Sequence, residues 1–189
     1  QESRDEDARN LEGLKVIPGL VDVHIHGSMG ADFSDGDYDG LLKMAEHLAG
    51  CGVTSFAPAG MTLPYDVLSR AFACGRRLHD EMPPGHSRLM GIHMEGPFFC
   101  EKKKGAQNGA YLKNPDFEAF SRLQEDCGGL IRIVDLAPEL EGACEFTKKA
   151  AELATVSIAH TDADYEDAKA AIEAGVTHLT HLYNAMPPI

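Results

Sequence analysis

The sequence predicts an α/β protein whose parallel strands curl into a (β/α) barrel, with about six of the eight strands of such a barrel present. Three observations lead there. Short β-branched runs alternate with amphipathic stretches at helical spacing, the pattern of a parallel sheet with helical crossovers. No G-x-G-x-x-G or G-x-x-x-x-G-K-[ST] loop follows an early strand, which argues against a doubly wound nucleotide-binding sheet. Histidines and a glutamate recur where strands end, the rim at which a barrel keeps its chemistry.

Residues 1–13 read as a flexible lead-in, and 14–189 as one partial barrel domain. Val16-Ile17-Pro18-Gly19 turns into a buried strand, Leu20 to His26, ended by Gly27. A helix over Asp37 to Gly50 follows from Leu41, Leu42, Met44, Ala45 and Leu48, with Gly50 as its C-cap. Thr54 to Pro58 forms the second strand, and Pro64 to about Glu81 a helix with proline in its first turn. Strand three is Arg88 to Glu95, stopped by Gly96-Pro97 because proline lacks a ladder donor. The loop from Gly96 to Asn114 is long for such a connection and holds Lys102, Lys103 and Lys104. A helix Asp116 to Asp126, a strand Ile131 to Leu136, a helix from about Glu141 to Leu153, a strand Thr155 to His160, a helix Tyr165 to Ala174 and a strand His178 to Leu182 complete the pattern.

Composition limits the function. The chain has 189 residues, 43% hydrophobic and 25% charged, ordinary for a globular protein. A formal charge of -13 argues against nucleic acid or an anionic membrane as partner, but not against an anionic small molecule, which needs only local positive charge. Cys51, Cys74, Cys100, Cys127 and Cys144 lack any C-x-x-C spacing and read as reduced packing residues of a cytoplasmic protein. Residues 1–10 lack an apolar signal region, and no run approaches the roughly 18 apolar residues of a membrane span.

Alternate strand residues share a face, so His93 and Glu95 point one way, and Ile92 and Met94 the other. His24 and His26 share a face by the same parity and can hold one divalent cation, although an isolated H-x-H serves equally as a pair of hydrogen-bonded pocket histidines. His160 ends a strand before Thr161-Asp162. At the last strand, parity lets only one of His178 and His181 face the mouth; His181 is assigned to the site and His178 to packing or the helix layer. Together His24, His26, Glu95, His160 and His181 make a nitrogen and carboxylate set suited to one or two ions of Zn, Fe(II), Co or Mn. Such an ion acidifies water and polarises a carbonyl, which points to hydrolysis of an amide-like bond.

Pro18-Gly19-Leu20-Val21-Asp22-Val23-His24-Ile25-His26-Gly27 resembles the first-strand signature of the amidohydrolase superfamily of TIM-type barrels. His93-Met94-Glu95-Gly96-Pro97, Lys103-Lys104-Gly105-Ala106-Gln107, Ala159-His160 and His181-Leu182-Tyr183-Asn184-Ala185-Met186-Pro187 together resemble its N-acetylglucosamine-6-phosphate deacetylase family. The resemblance implies that Glu95, His160 and His181 hold the main metal, with His24 and His26 available for a second. It implies sugar contacts at Ala106 and Gln107, where many members carry His at the second position, and substrate contacts at Asn184 and Ala185. It also implies an amino-sugar phosphate as the small-molecule partner and a homodimer for the full-length protein. The family's metal-bound Asp after the eighth strand, which moves protons, is expected beyond Ile189, as are an Arg and a His that bind phosphate and sugar. Its small β-domain is nearly absent here. Asp162 reads equally as a surface or helix-capping residue, so no general acid or base is assigned within the chain.

Three readings follow. The leading one is metal-dependent deacetylation of N-acetylglucosamine 6-phosphate to glucosamine 6-phosphate and acetate, with this stretch inactive alone. A dihydroorotase-like cyclic amidase is the alternative in the same class, although Val134-Asp135-Leu136-Ala137-Pro138 offers no Lys for a carboxylated bridge. An inactive remnant that binds metal or sugar phosphate is the third. Lys102, Lys103 and Lys104 are either a solvated loop or an attractor for a sugar phosphate.

Overall fold

A computed structural model of the protein describes residues 10–188. Residues 1–9 of the expected lead-in lie outside the described residues, and 10–19 carry no regular element. The chain then runs β1 (Leu20–Ile25), a hairpin of β2 (Gly27–Ser28) and β3 (Ala31–Asp32), α1 (Tyr38–Gly50), β4 (Val53–Gly60), α2 (Tyr65–Glu81), β5 (Arg88–Leu89), β6 (Ile92–Phe98), α3 (Phe117–Asp126), β7 (Ile131–Leu136), α4 (Ala143–Ala150), β8 (Thr155–Ile158), α5 (Tyr165–Ala174) and β9 (His178–Leu179). The main sheet has the order β1-β4-β6-β7-β8-β9, parallel throughout, with β5 as a second partner of β4. Each strand lies beside the next barrel strand in the chain, and helix packs on helix in the same order, as in part of a (β/α) barrel.

Helix starts are set by aspartates whose carboxylates accept orphan N–H groups: Asp37 for α1, Asp116 for α3 and Asp164 for α5. Leu41, Met44, Ala45 and Leu48 are the buried stripe of α1, as the periodicity predicts; Gly50 is its last helical residue, one before the cap. The core fills the space between sheet and helices. Ile92, Met94, Val134, Leu136, Val156 and Ile158 belong to it, packed with Phe33, Phe72 and Phe120. His93, Glu95, Asp135 and Ser157, of opposite parity, are buried on the other, concave face of the curl.

Several expectations are corrected. Strand one is exposed, with Leu20 at 58% and Val21 at 65%, because β1 is the sheet's edge with a neighbour on one side only. Strand three is two strands: β4 advances from Phe56 to Ala59 while its partner advances from Leu89 to His93, so one residue bulges out between β5 and β6. Gly96-Pro97 does not stop β6. The ladder shifts register past the proline, Phe98 pairs with Leu136, and the Phe98 carbonyl accepts Ala137 N–H at 2.8 Å. Gly96 takes φ +98, and a Cβ there would lie 2.3 Å from Thr62 Oγ1, so only glycine fits. Strands five and six end early, at Ile158 and Leu179, and α4 is shorter than its pattern. All five cysteines are free thiols; Cys127 is buried and Cys51 exposed. No helix is long and apolar enough to cross a membrane.

Candidate metal centre

Glu95 projects from the middle of β6 into the curl and is 1% exposed. An ionised carboxylate so buried needs partners, and four histidines supply them. His26 Nε2 lies 2.9 Å from Oε2, while His181 Nε2 at 2.6 Å, His160 Nε2 at 3.2 Å and His24 Nε2 at 3.7 Å surround Oε1. His24 lies in β1 and His26 just past it at one edge of the sheet, while His181 follows β9 at the other edge and His160 follows its neighbour β8.

Local backbone places each ring. His26 Nδ1 donates to Ala59 O at 3.1 Å and His160 Nδ1 to Lys103 O at 2.9 Å. Both bonds turn Nε2 toward Glu95, the outer-shell device that presents an imidazole lone pair to an ion. His160 and His181 lie past their strands, in the left-handed region at φ +47 and φ +56. Strand parity therefore does not aim them; the turns do. His178 is not in the helix layer: its Nδ1 lies 3.0 Å from Ser157 Oγ, which in turn meets Thr180 Oγ1 on the concave side.

Two groups of donor atoms each fall within 4.8 Å of one another: His24, His26 and Glu95, and Glu95, His160 and His181. The residues fit a divalent ion. His24 Nε2 is buried without a hydrogen-bond partner, an orphan that a cation would satisfy, and the carboxylate is surrounded by imidazoles. Burial and the neighbouring His93 lower the His24 pKa to about 4, so this ring is neutral and ready to ligate. The hydrogen bond to Glu95 raises the His26 pKa. Burial opposes protonation of His160, but its bonds to Glu95 and Lys103 O outweigh that and raise it. Burial alone would raise the Glu95 pKa; bonds from His160 and His26 hold it well below the usual carboxylate range.

Of the residues assigned to substrate, Gln107 is buried and bonded to Glu95, Ala106 is exposed, Asn184 is exposed in a turn closed on His181 O, and Ala185 O accepts from Thr161 N at 3.0 Å. The lysines are engaged locally: Lys102 and Lys103 pair with Asp162, Lys103 also donates to Met186 O at 3.1 Å, and Lys104 pairs with Glu101.

One pair escapes the sequence reading. His93 Nε2 donates to Asp135 Oδ1 at 2.9 Å, Thr180 Oγ1 donates to the same oxygen at 2.9 Å, and His93 Nδ1 lies 3.2 Å from His24 Nδ1. The signal was present: an acid in the buried C-terminal half of a parallel strand must find a partner on its own face.

The profile of the Amidohydrolase family matches residues 15–188. The chain is 39% identical over 176 residues to the N-acetylglucosamine-6-phosphate deacetylase of Bacillus subtilis (strain 168), covering 92% of this chain and 44% of that one. The crystal structure of N-acetyl-D-glucosamine-6-phosphate deacetylase from Mycobacterium smegmatis superposes with a TM-score of 0.85 at 31% identity, covering 92% of this chain and 45% of that one. A variant of that enzyme, solved in complex with N-acetyl-D-glucosamine-6-phosphate, superposes equally well, with a TM-score of 0.85 at 31% identity over 92% of this chain and 44% of that one. The chain thus spans under half the length of these relatives. With the family profile running through nearly all of the parallel curl, and with the strand-end histidines and glutamate inside the matched stretch, the chain belongs to the amidohydrolase family.

Proposed function

We propose that this chain carries the metal half of a deacetylase that hydrolyses the acetamide of N-acetylglucosamine 6-phosphate to the amine and acetate. The observation that carries the reading is the convergence of four histidines on one buried carboxylate, in a chain whose relatives are named for that reaction. In this proposal Glu95, His160 and His181 hold the main ion, and His24 and His26 with Glu95 hold a second; Zn, Fe, Co and Mn all suit the donors. The ion supplies Lewis acidity for the amide carbonyl and lowers the pKa of water.

The chain's own residues supply orientation. Ala59 O and Lys103 O fix the tautomers of His26 and His160, and the turn after β9 holds His181 against Oε1. Ala106, Asn184 and Ala185 sit on the two loops beside the histidines, where a sugar would rest. Asp162 is ion-paired, and none of residues 10–188 is assigned the proton shuttle. The homodimer and the cytoplasmic location belong to the same proposal.

The test is acetate release from N-acetylglucosamine 6-phosphate by the purified, metal-loaded protein, beside ring opening of dihydroorotate. Turnover of the sugar phosphate supports the reading. Turnover of the cyclic amide alone, or failure to bind metal, overturns it.

A further inference from the structure

Gln107 turns inward from the long β6–α3 loop, with 5% exposure between exposed neighbours. Its carboxamide has two partners. Thr62 N–H donates to Oε1 at 2.7 Å, and Nε2 donates to Glu95 Oε2 at 3.0 Å. The first bond decides the second: a backbone donor cannot face an amide NH2 group, so the oxygen must point to Thr62 and the nitrogen to the carboxylate. Its own N–H donates to Lys104 O at 3.0 Å, which fixes where the side chain begins.

A terminal carboxylate torsion is broad and roughly two-fold, so the Glu95 side chain does not by itself fix which oxygen faces which imidazole. Gln107 breaks that degeneracy. It ties Oε2, the oxygen beside His26, through the amide to a backbone nitrogen, leaving Oε1 to His160 and His181.

We propose that Gln107 is a positioning residue for the metal-binding carboxylate: locked by Thr62, it holds Glu95 in the rotation that divides its two oxygens between the His26 side and the His160 and His181 side. This rests on the metal-centre reading above and adds a role distinct from contact with substrate. Outer-shell hydrogen bonds to a ligating group typically change metal affinity by about 10- to 100-fold.

The experiment is cobalt titration of wild type, Q107M and Q107H, followed by calorimetry and by the visible spectrum of bound Co(II), with thermal melting of each metal-free protein alongside. Methionine keeps the length and removes both polar contacts. Histidine keeps one donor and one acceptor. The expected result is a loss of about 10- to 100-fold in cobalt affinity with an altered spectrum for Q107M, and recovery of most of the affinity in Q107H. Wild-type affinity and spectrum in Q107M overturn the inference; a lowered melting temperature beside them assigns Gln107 to folding alone. Failure of wild type to take up cobalt overturns the metal-centre reading and this inference with it; uptake by wild type and Q107M alike overturns this inference only.

Discussion

Asp135→Asn tests the hidden pair behind the centre. His93 Nε2 donates to Asp135 Oδ1 and His93 Nδ1 donates to Val23 O at 3.0 Å, so both ring N–H groups face acceptors and the ring is an imidazolium. Burial alone would lower the His93 pKa; the charge and hydrogen bond of Asp135 more than reverse this and raise it. The side chains are 1% and 0% exposed, so water offers neither a replacement. Removing one member of a buried ion pair costs about 3 to 5 kcal/mol, and the Asn oxygen still accepts one bond, which favours the lower end. With a urea slope of about 2 kcal/mol/M, the midpoint of the metal-free protein falls by about 1.5 M.

The pH dependence has a definite sign. A histidine whose pKa is raised on folding stabilises fully below its unfolded value, about 6.5, and loses that contribution as pH rises through the folded value. The gap between wild type and Asp135→Asn is therefore widest below the unfolded value and narrows as pH rises through the folded value of His93. Urea unfolding followed by circular dichroism at several pH values measures it. A gap under about 1 kcal/mol at the lower pH, or one that grows as pH rises, refutes the assignment of charge to this pair.

Two further outcomes follow from the same geometry. His26 and His160 have raised pKa values in the metal-free protein, so an ion must displace their protons, whereas His24, at about 4, has none to give. Cobalt uptake near neutral pH should release protons and weaken as pH falls; calorimetric heats that do not depend on the buffer's ionisation enthalpy would contradict this. On the exposed edge strand, Val21→Lys places a charge where β1 could pair with another chain, and should lower concentration-dependent self-association measured by light scattering. Equal scattering from variant and wild type would show that this edge is not adhesive.

What the sequence revealed divides along a physical line. Wherever burial sets the pattern, reading worked: the stripe of α1, the alternation of helices and strands, and the common direction of His93 and Glu95 all follow from periods of 3.6 and 2. The convergence on Glu95 was visible because four histidines at three strand ends have few reasons to gather there. The manner of arrival was not. His160 and His181 reach the carboxylate through left-handed turns beyond short strands, and backbone of that kind leaves no periodic trace. Gly91 and Pro97 misled in opposite ways, since a one-residue bulge split a strand that looked continuous and a register shift carried β6 past a proline that looked final. Gln107 and Asp135 were hidden for another reason: their partners, Thr62 and His93, lie 45 and 42 residues away.

The rings of His24 and His181 approach to 4.8 Å although β1 and β9 stand at the two ends of the ladder, five pairings apart. A cation seated among them would act as a clasp, holding shut a curl that hydrogen bonds close on no other path among the described residues. Its binding energy would then count toward keeping the ends together: at a hundredfold excess over Kd, about 2.7 kcal/mol. Chelation should accordingly loosen the outer strands before it disturbs β6 and β7 between them, and deuterium uptake would enter this molecule from its margins.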